Sequence, residues 1–476
     1  MKKLLLLLIF VISFSSISFA ASFVVNNNGD TNDASTSDNL CLDASGNCTL
    51  RAAIQQANAS AGDDTITFAL AFPSTIRLTL GELQITSNIT ITGAGARNLI
   101  ISGNNTSRVF SIVGVGVVVN LSALTVADGN AGNIVYGGGI RTLNGPTLNL
   151  IQVTVRNNFA GGGGGGIDHS IGRLNILNST ISNNTAGEGG GINNNNGTAN
   201  IANTTISDNT AQIGGGIINF APMTLNNVTI SNNTATVRGG GLRDNVIADV
   251  RNTIIANNTA PSGSDVDGAF TSLGNNLIGN STDSTGFTNG VNGDIVGTAA
   301  APINPLLGPL QDNGGQTDTR ALLPGSPAVD AGNNCVVTAT CSSNNPFLPL
   351  MTDQRGLGFF RLIDGNSDGV AIVDIGAFET LAPTAASVTV GGRVMTTSDR
   401  GIRNVVVTMT DSQGNTRTTK TTSFGYYRFT DVAAGETYIF TARAKRFAFA
   451  NNTQVHSIME DINNINFVVN DEIFTP

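Results

Sequence analysis

The chain has no tryptophan, four tyrosines, two histidines and four cysteines in 476 residues, and only 12% of its residues are charged. Each scarcity excludes something. Sugar subsites usually present aromatic platforms, and the repeated part of this chain offers little beyond Tyr136, Phe159 and Phe220. Zinc sites use closely spaced His and Cys, but His169 and His456 lie far apart and the cysteines match no CxxC arrangement. Nucleic-acid binding needs clustered Lys and Arg, whereas 24 basic against 33 acidic residues leave a net charge of -9. Beyond the N-terminus no run approaches the roughly 18 apolar residues of a membrane span. The expectation is no nucleic-acid partner and peripheral or no membrane contact.

Residues 1–20 read as a Sec-type signal peptide: Lys2 and Lys3, an apolar run from Leu4 to Ile12, and the small residues Ser18 and Ala20 flanking a cleavage point. The expected location is therefore secreted or cell surface. Losing Lys2 and Lys3 takes the charge from -9 to -11. In an oxidising compartment the close pairs Cys41 with Cys48 and Cys335 with Cys341 read as two local disulfides, although four cysteines allow three pairings.

From about residue 120 to 260 the chain repeats itself. Gly138-Gly139-Ile140, Gly165-Gly166-Ile167, Gly190-Gly191-Ile192, Gly215-Gly216-Ile217 and Gly240-Gly241-Leu242 follow one another at spacings of 27, 25, 25 and 25. A second motif, Thr180-Ile181-Ser182-Asn183-Asn184 and its counterparts, keeps the same step. Short β-branched stretches, glycine corners and no 3.6-residue periodicity define one coil of a β-solenoid. Stacked coils lie about 4.8 Å apart, so Asn158, Asn184, Asn209, Asn233 and Asn258 should form an amide ladder at a turn where Asn tolerates the left-handed conformation. Glycine suits corners with positive φ or close backbone approach. The solenoid needs a cap, and Thr49 can N-cap a helix from Leu50 to Ala59 whose apolar face is Leu50, Ala53, Ile54 and Ala57.

These features resemble the bacterial extracellular right-handed parallel β-helix proteins of the pectate-lyase-like superfamily. Cys48-Thr49-Leu50-Arg51-Ala52-Ala53-Ile54 is similar to the CSLREAI motif, with Thr for Ser and Ala for Glu. The GGGI and TISNNTA repeats resemble those of polymorphic outer-membrane adhesins. Asn304-Pro305-Leu306-Leu307-Gly308, Gly325-Ser326-Pro327-Ala328-Val329-Asp330, Asp353-Gln354-Arg355-Gly356 and Asp374-Ile375-Gly376-Ala377-Phe378-Glu379 are similar to the choice-of-anchor Q domain, which implies a surface role. Gly392-Arg393-Val394 and Gly425-Tyr426-Tyr427-Arg428-Phe429 resemble the carboxypeptidase regulatory-like domain. The expected organisation is signal peptide 1–20, cap region 21–60, β-helix 61–300, anchor-like end of the β-helix 301–379, linker 380–386 and a transthyretin-like, Greek-key β-sandwich 387–476. The fold class is all-β.

Many proteins of the resembled fold cleave polysaccharides, so a lyase or glycoside hydrolase is the rival to a structural or adhesive protein binding an extracellular polysaccharide or surface receptor. A glycosidase needs two opposed carboxylates, and a lyase needs a proton acceptor with charge stabilisation beside it. The position after each GGI reads Arg141, Asp168, Asn193, Ile218 and Arg243, with no stacked acid pair. Asp208, in the row before the Asn ladder, reads as an isosteric ladder member. Asp168 and His169 are adjacent in a strand and should face opposite ways. The pattern favours a non-catalytic role and names no catalytic residue. One stretch suggests a cation: Asp364, Asn366 and Asp368 alternate before Gly369, with the Val370 carbonyl and Asp374 following. It fits either a Ca2+ loop, other than an EF-hand because Ile375 stands where the closing Glu would be, or an Asx-rich turn.

Overall fold

The computed structural model describes residues 20–133, 135–341, 346–381, 387–411, 414–449, 451–458 and 460–469. The expected signal peptide apart from Ala20, and most of the expected linker, lie outside the described residues. The chain forms two compact units, one running to Leu362 with Val373–Glu379, the other comprising Ile363–Ile372 and the chain from Thr380.

Between residues 64 and 278 the first unit is a parallel β-solenoid of about nine turns, about 40 Å of stacked coils at the usual strand spacing. The repeat period sets the register. Ile140, Ile167, Ile192, Ile217, Leu242 and Val266 stand in direct register, and all are fully buried. Val155, Ile181, Ile206, Ile230, Ile255 and Ile278 make a second inward row. Each such side chain contributes about 1.5–3 kcal/mol of burial, so one row repeated coil on coil is a continuous core.

The glycine corners combine both of glycine's uses in one tripeptide. Gly164 adopts φ +67°, while a Cβ on Gly165 would lie 2.5 Å from the Gly190 carbonyl oxygen of the next coil. Corner shape and coil spacing thus demand glycine separately.

The N-terminal cap is a helix at Leu50–Ala59, and Ala52 N–H donates to Thr49 Oγ1 at 3.1 Å. Leu50, Ala53, Ile54 and Ala57 join Phe23 and Val25 in the core over the first coil. The buried Arg51 fastens the cap, bonding Asp30 at 2.7 Å and the Gly81 and Glu82 carbonyls at 2.6 and 3.1 Å. Cys41–Cys48 and Cys335–Cys341 are both disulfide-bonded.

Residues 304–362 and 373–379 add no coils. After an antiparallel pair, Leu307–Gln311 with Thr319–Leu322, they form a strap along one side of the stack. The strap meets a column of turn residues in the left-handed conformation, Asn178, Asn203, Asn227, Asn252 and Asn275. Thr317 Oγ1 donates to the Asn178 carbonyl at 3.1 Å, and Asn203 Nδ2 donates to the Thr352 carbonyl at 2.7 Å. Asn252 exchanges two bonds with the Asn333 backbone at 2.8 and 3.1 Å, and Asn275 Nδ2 reaches the Ala331 carbonyl at 2.9 Å.

The second unit contains a β-sandwich. Ser387–Thr396 pairs with Tyr426–Ala433 and Phe467–Val469 in one sheet. Thr416–Lys420, Val406–Thr410, Glu436–Arg443 and Thr453–Ile458 form the other. Val390, Val394, Val407, Phe429, Phe440 and Phe467 fill the space between. Thr416–Lys420 and Thr453–Ile458 are edge strands whose residues are mostly exposed, so they carry little of the apolar alternation that announces a strand.

Candidate functional site

The two asparagines of each repeat have separate tasks. The first, Asn157, Asn183, Asp208, Asn232 or Asn257, takes φ between +55° and +62°. The second, Asn158, Asn184, Asn209, Asn233 or Asn258, is buried. Its Nδ2 donates at 2.9 Å to the Oδ1 of the next ladder residue. That same Oδ1 accepts the preceding ladder residue's backbone N–H at 2.9–3.0 Å. The expectation that the ladder residues themselves occupy the left-handed turn is corrected: their neighbours do. Asp208 is corrected with them. It is a turn residue paired at 2.9 Å with Arg320 of the strap, not a ladder member.

The ladder ends on an acid that the repeat pattern does not reveal. Asp265 Oδ1 accepts both the backbone N–H and Nδ2 of Asn258 at 2.9 Å. Burial pushes its carboxyl up to about 6, against the pull of those bonds. Two shorter amide columns accompany the first: Asn120, Asn149, Asn175 and Asn200 at 2.7–2.9 Å, and Asn194, Asn219 and Asp244 at 2.6 and 2.8 Å. Their sequence signal is an Asn at constant offset from the repeat's aliphatic residues, weaker than the paired Asn.

The outer row runs Ser111, Arg141, Asp168, Asn193, Ile218, Arg243 and Asp267 in register. Its acids are engaged. Asp168 accepts from Asn193 Nδ2 at 2.8 Å and lies 3.4 Å from Arg141 Nε; burial pushes its carboxyl up to about 6 despite both. Asp267 is bound at 2.6 Å by both Arg238 and Arg243. His169 is fully buried with Nδ1 2.8 Å from Thr142 Oγ1 of the adjacent coil, and burial holds its imidazole down at about 4. The two neighbours thus have different partners, and the histidine is neutral near pH 7.

The strap brings together residues far apart in sequence. Gln354 Nε2 donates to Thr180 Oγ1 at 2.9 Å and its Oε1 accepts from Thr205 Oγ1 at 2.6 Å. Arg361, fully buried, bonds Asn203 Oδ1 at 2.7 Å and lies 3.5 Å from Glu379. Arg355 is 2.6 Å from Asp353 and lies between the Phe359 and Phe378 rings at 4.0 and 3.8 Å. Burial, then the Asp374 charge, pushes Glu379 up to about 10.

The candidate calcium residues Asp364, Asn366, Asp368 and Val370 lie in one hydrogen-bonded turn. Asp364 accepts from the Asp368 and Gly369 N–H groups at 3.1 and 2.8 Å, Asn366 Oδ1 from Asp368 N–H at 2.8 Å, and Asp368 from Val370 N–H at 2.9 Å. This is the Asx-turn pattern. Asp374 is fully buried and accepts from Asp330 N–H at 2.7 Å. Among the described residues no three His, Cys, Asp or Glu side chains are grouped to hold a metal.

Fold and registers together define a parallel β-solenoid protein with an appended β-sandwich. Residues 389–470 match the carboxypeptidase regulatory-like domain family. No curated protein matches the chain. The matched span has one histidine, His456, whereas a zinc site built on two His and a Glu needs two.

Proposed function

We propose that the chain is an exported, surface-located or secreted protein whose solenoid is a rigid structural and adhesive scaffold for extracellular polysaccharide. The observation that carries this reading is the unbroken buried ladder from Asn158 to Asp265. An amide column satisfied on every coil it spans fixes the spacing of those coils and resists shear, which suits a load-bearing element. Asp267 in the outer row supports the same reading, since Arg238 and Arg243 both bind it at 2.6 Å. A hydrolase or lyase would instead hold its acids or bases ready for proton exchange with a substrate. The apolar leader, the two disulfides and the resemblance of residues 304–379 to an anchor-associated domain support export and surface placement.

The test is incubation of the purified protein with pectins, alginates and other uronides, measuring binding together with reducing ends and unsaturated products. Binding without turnover is expected. Product release would restore the lyase or hydrolase reading, and absence of both binding and turnover would remove the adhesive part.

A further inference from the structure

Cationic charge is unevenly distributed along the chain. Residues 387–476 hold nine basic and eight acidic residues, leaving 15 basic and 25 acidic for the rest. Outside the leader, the only lysines are Lys420 and Lys445.

Within the sandwich, the edge strand Thr416–Lys420 of one sheet faces the edge strand Tyr426–Ala433 of the other. Part of this gap is bridged by Arg417, which donates to the Thr430 and Asp431 carbonyls at 2.5 and 2.9 Å. Beyond Arg417 a cleft of about 470 Å³ remains, lined by Thr419, Lys420, Thr422, Tyr426, Arg428 and Asn463 among others, a volume typical of ligand clefts. Tyr426 is 54% exposed, with the Arg393 guanidinium 5.2 Å from its ring centroid. Arg428 is steadied by a 3.0 Å bond from Nη2 to Thr389 Oγ1. Among the described residues neither Lys420 nor Arg428 has a carboxylate partner.

We propose that this cleft binds an acidic pyranose unit of a polysaccharide. Lys420 and Arg428 meet its carboxylate or sulfate, Tyr426 packs on the C–H face of the ring, and Thr422 and Asn463 serve its hydroxyls. A planar guanidinium and a flexible ammonium on one anion combine directional and point-charge recognition. The proposal rests on the polysaccharide reading above and gives it a location and a charge requirement.

The experiment measures binding of the full-length mature protein to polygalacturonate, dextran sulfate and neutral dextran, for the wild type, a Lys420→Gln/Arg428→Gln double variant and Tyr426→Ala. The wild type should prefer the two anionic polymers, with affinity falling as salt rises. Each variant should lose about 10-fold or more in affinity for the anionic polymers while melting at the wild-type temperature. Polygalacturonate and dextran sulfate as separate arms tell a carboxylate from a sulfate ligand. Wild-type binding that the variants leave unchanged would overturn this site and spare the adhesive reading. Equal binding to neutral dextran would overturn the charge requirement, and absence of all binding would overturn both.

Discussion

Replacing Asn209 by Leu tests the ladder at its centre. Asn209 is fully buried; its Oδ1 accepts from the backbone N–H and Nδ2 of Asn184, and its Nδ2 donates to the Ile181 carbonyl and to Asn233 Oδ1. Leucine is similar in size and removes all four bonds. It orphans the Asn184 N–H and one Asn184 amide hydrogen, at about 1–3 kcal/mol per buried group. Burial of the new apolar surface offsets about 1.5 kcal/mol or more. The net loss is on the order of 0.5–4.5 kcal/mol. Asn183, one residue before the preceding ladder member Asn184, is exposed with φ +55°. There Asp should cost less than about 0.5 kcal/mol, while Val should cost about 1–2 kcal/mol because the left-handed conformation crowds its Cβ. Urea unfolding followed by far-UV circular dichroism compares the variants. A wild-type midpoint for Asn209→Leu would refute the ladder argument, and equal tolerance of Asp and Val at 183 would refute the division of labour within the Asn pair.

The Asp265 carboxyl, raised to about 6, stabilises the fold fully only below the unfolded value near pH 4. That contribution fades as pH rises through about 6, because the folded chain must then hold a buried charge, at about 3 kcal/mol. Asp265→Asn should narrow the stability difference between pH 3.5 and pH 7 by about that amount, and an unchanged difference in urea midpoints would count against it. Arg320→Met removes the partner of Asp208 and a bond to the Gly308 carbonyl. It should cost about 1–2 kcal/mol, since Asp208 stays partly hydrated, and limited proteolysis should cut within 304–322 before it cuts the coils. Calcium added to chelator-treated protein should leave the melting temperature unchanged, because the Asp364–Gly369 turn already closes on its own N–H groups; a calcium-dependent rise would show that the turn reorganises around the ion.

What the sequence made legible was whatever repeats. The coil period, the inward Ile row, the Asn158-to-Asn258 ladder and the helix capped by Thr49 each depend on residues at fixed spacing, and the structure places them in register. What it concealed depends on partners without a period. Asp265 completes the ladder from seven residues beyond Asn258, outside the 25-residue step. The strap column at Asn178, Asn203, Asn227, Asn252 and Asn275 does repeat, but its partners Thr317, Thr352, Asn333 and Ala331 belong to an irregular segment. Asp208 looked like a substituted ladder residue because Arg320, more than a hundred positions away, is what gives the acid its purpose.

Solenoids commonly tolerate gain or loss of a repeat, because each coil touches only its neighbours. Here the strap removes that freedom. It touches successive coils at Asn178, Asn203, Asn227, Asn252 and Asn275 with non-repeating backbone. Excising one period between Asn178 and Asn252 would leave the remaining coils able to restack, yet would shift every later strap contact by a full coil. Residues 304–362 with 373–379 therefore act as a gauge of coil number, holding the solenoid to one length while its outward-facing side chains stay free to diverge.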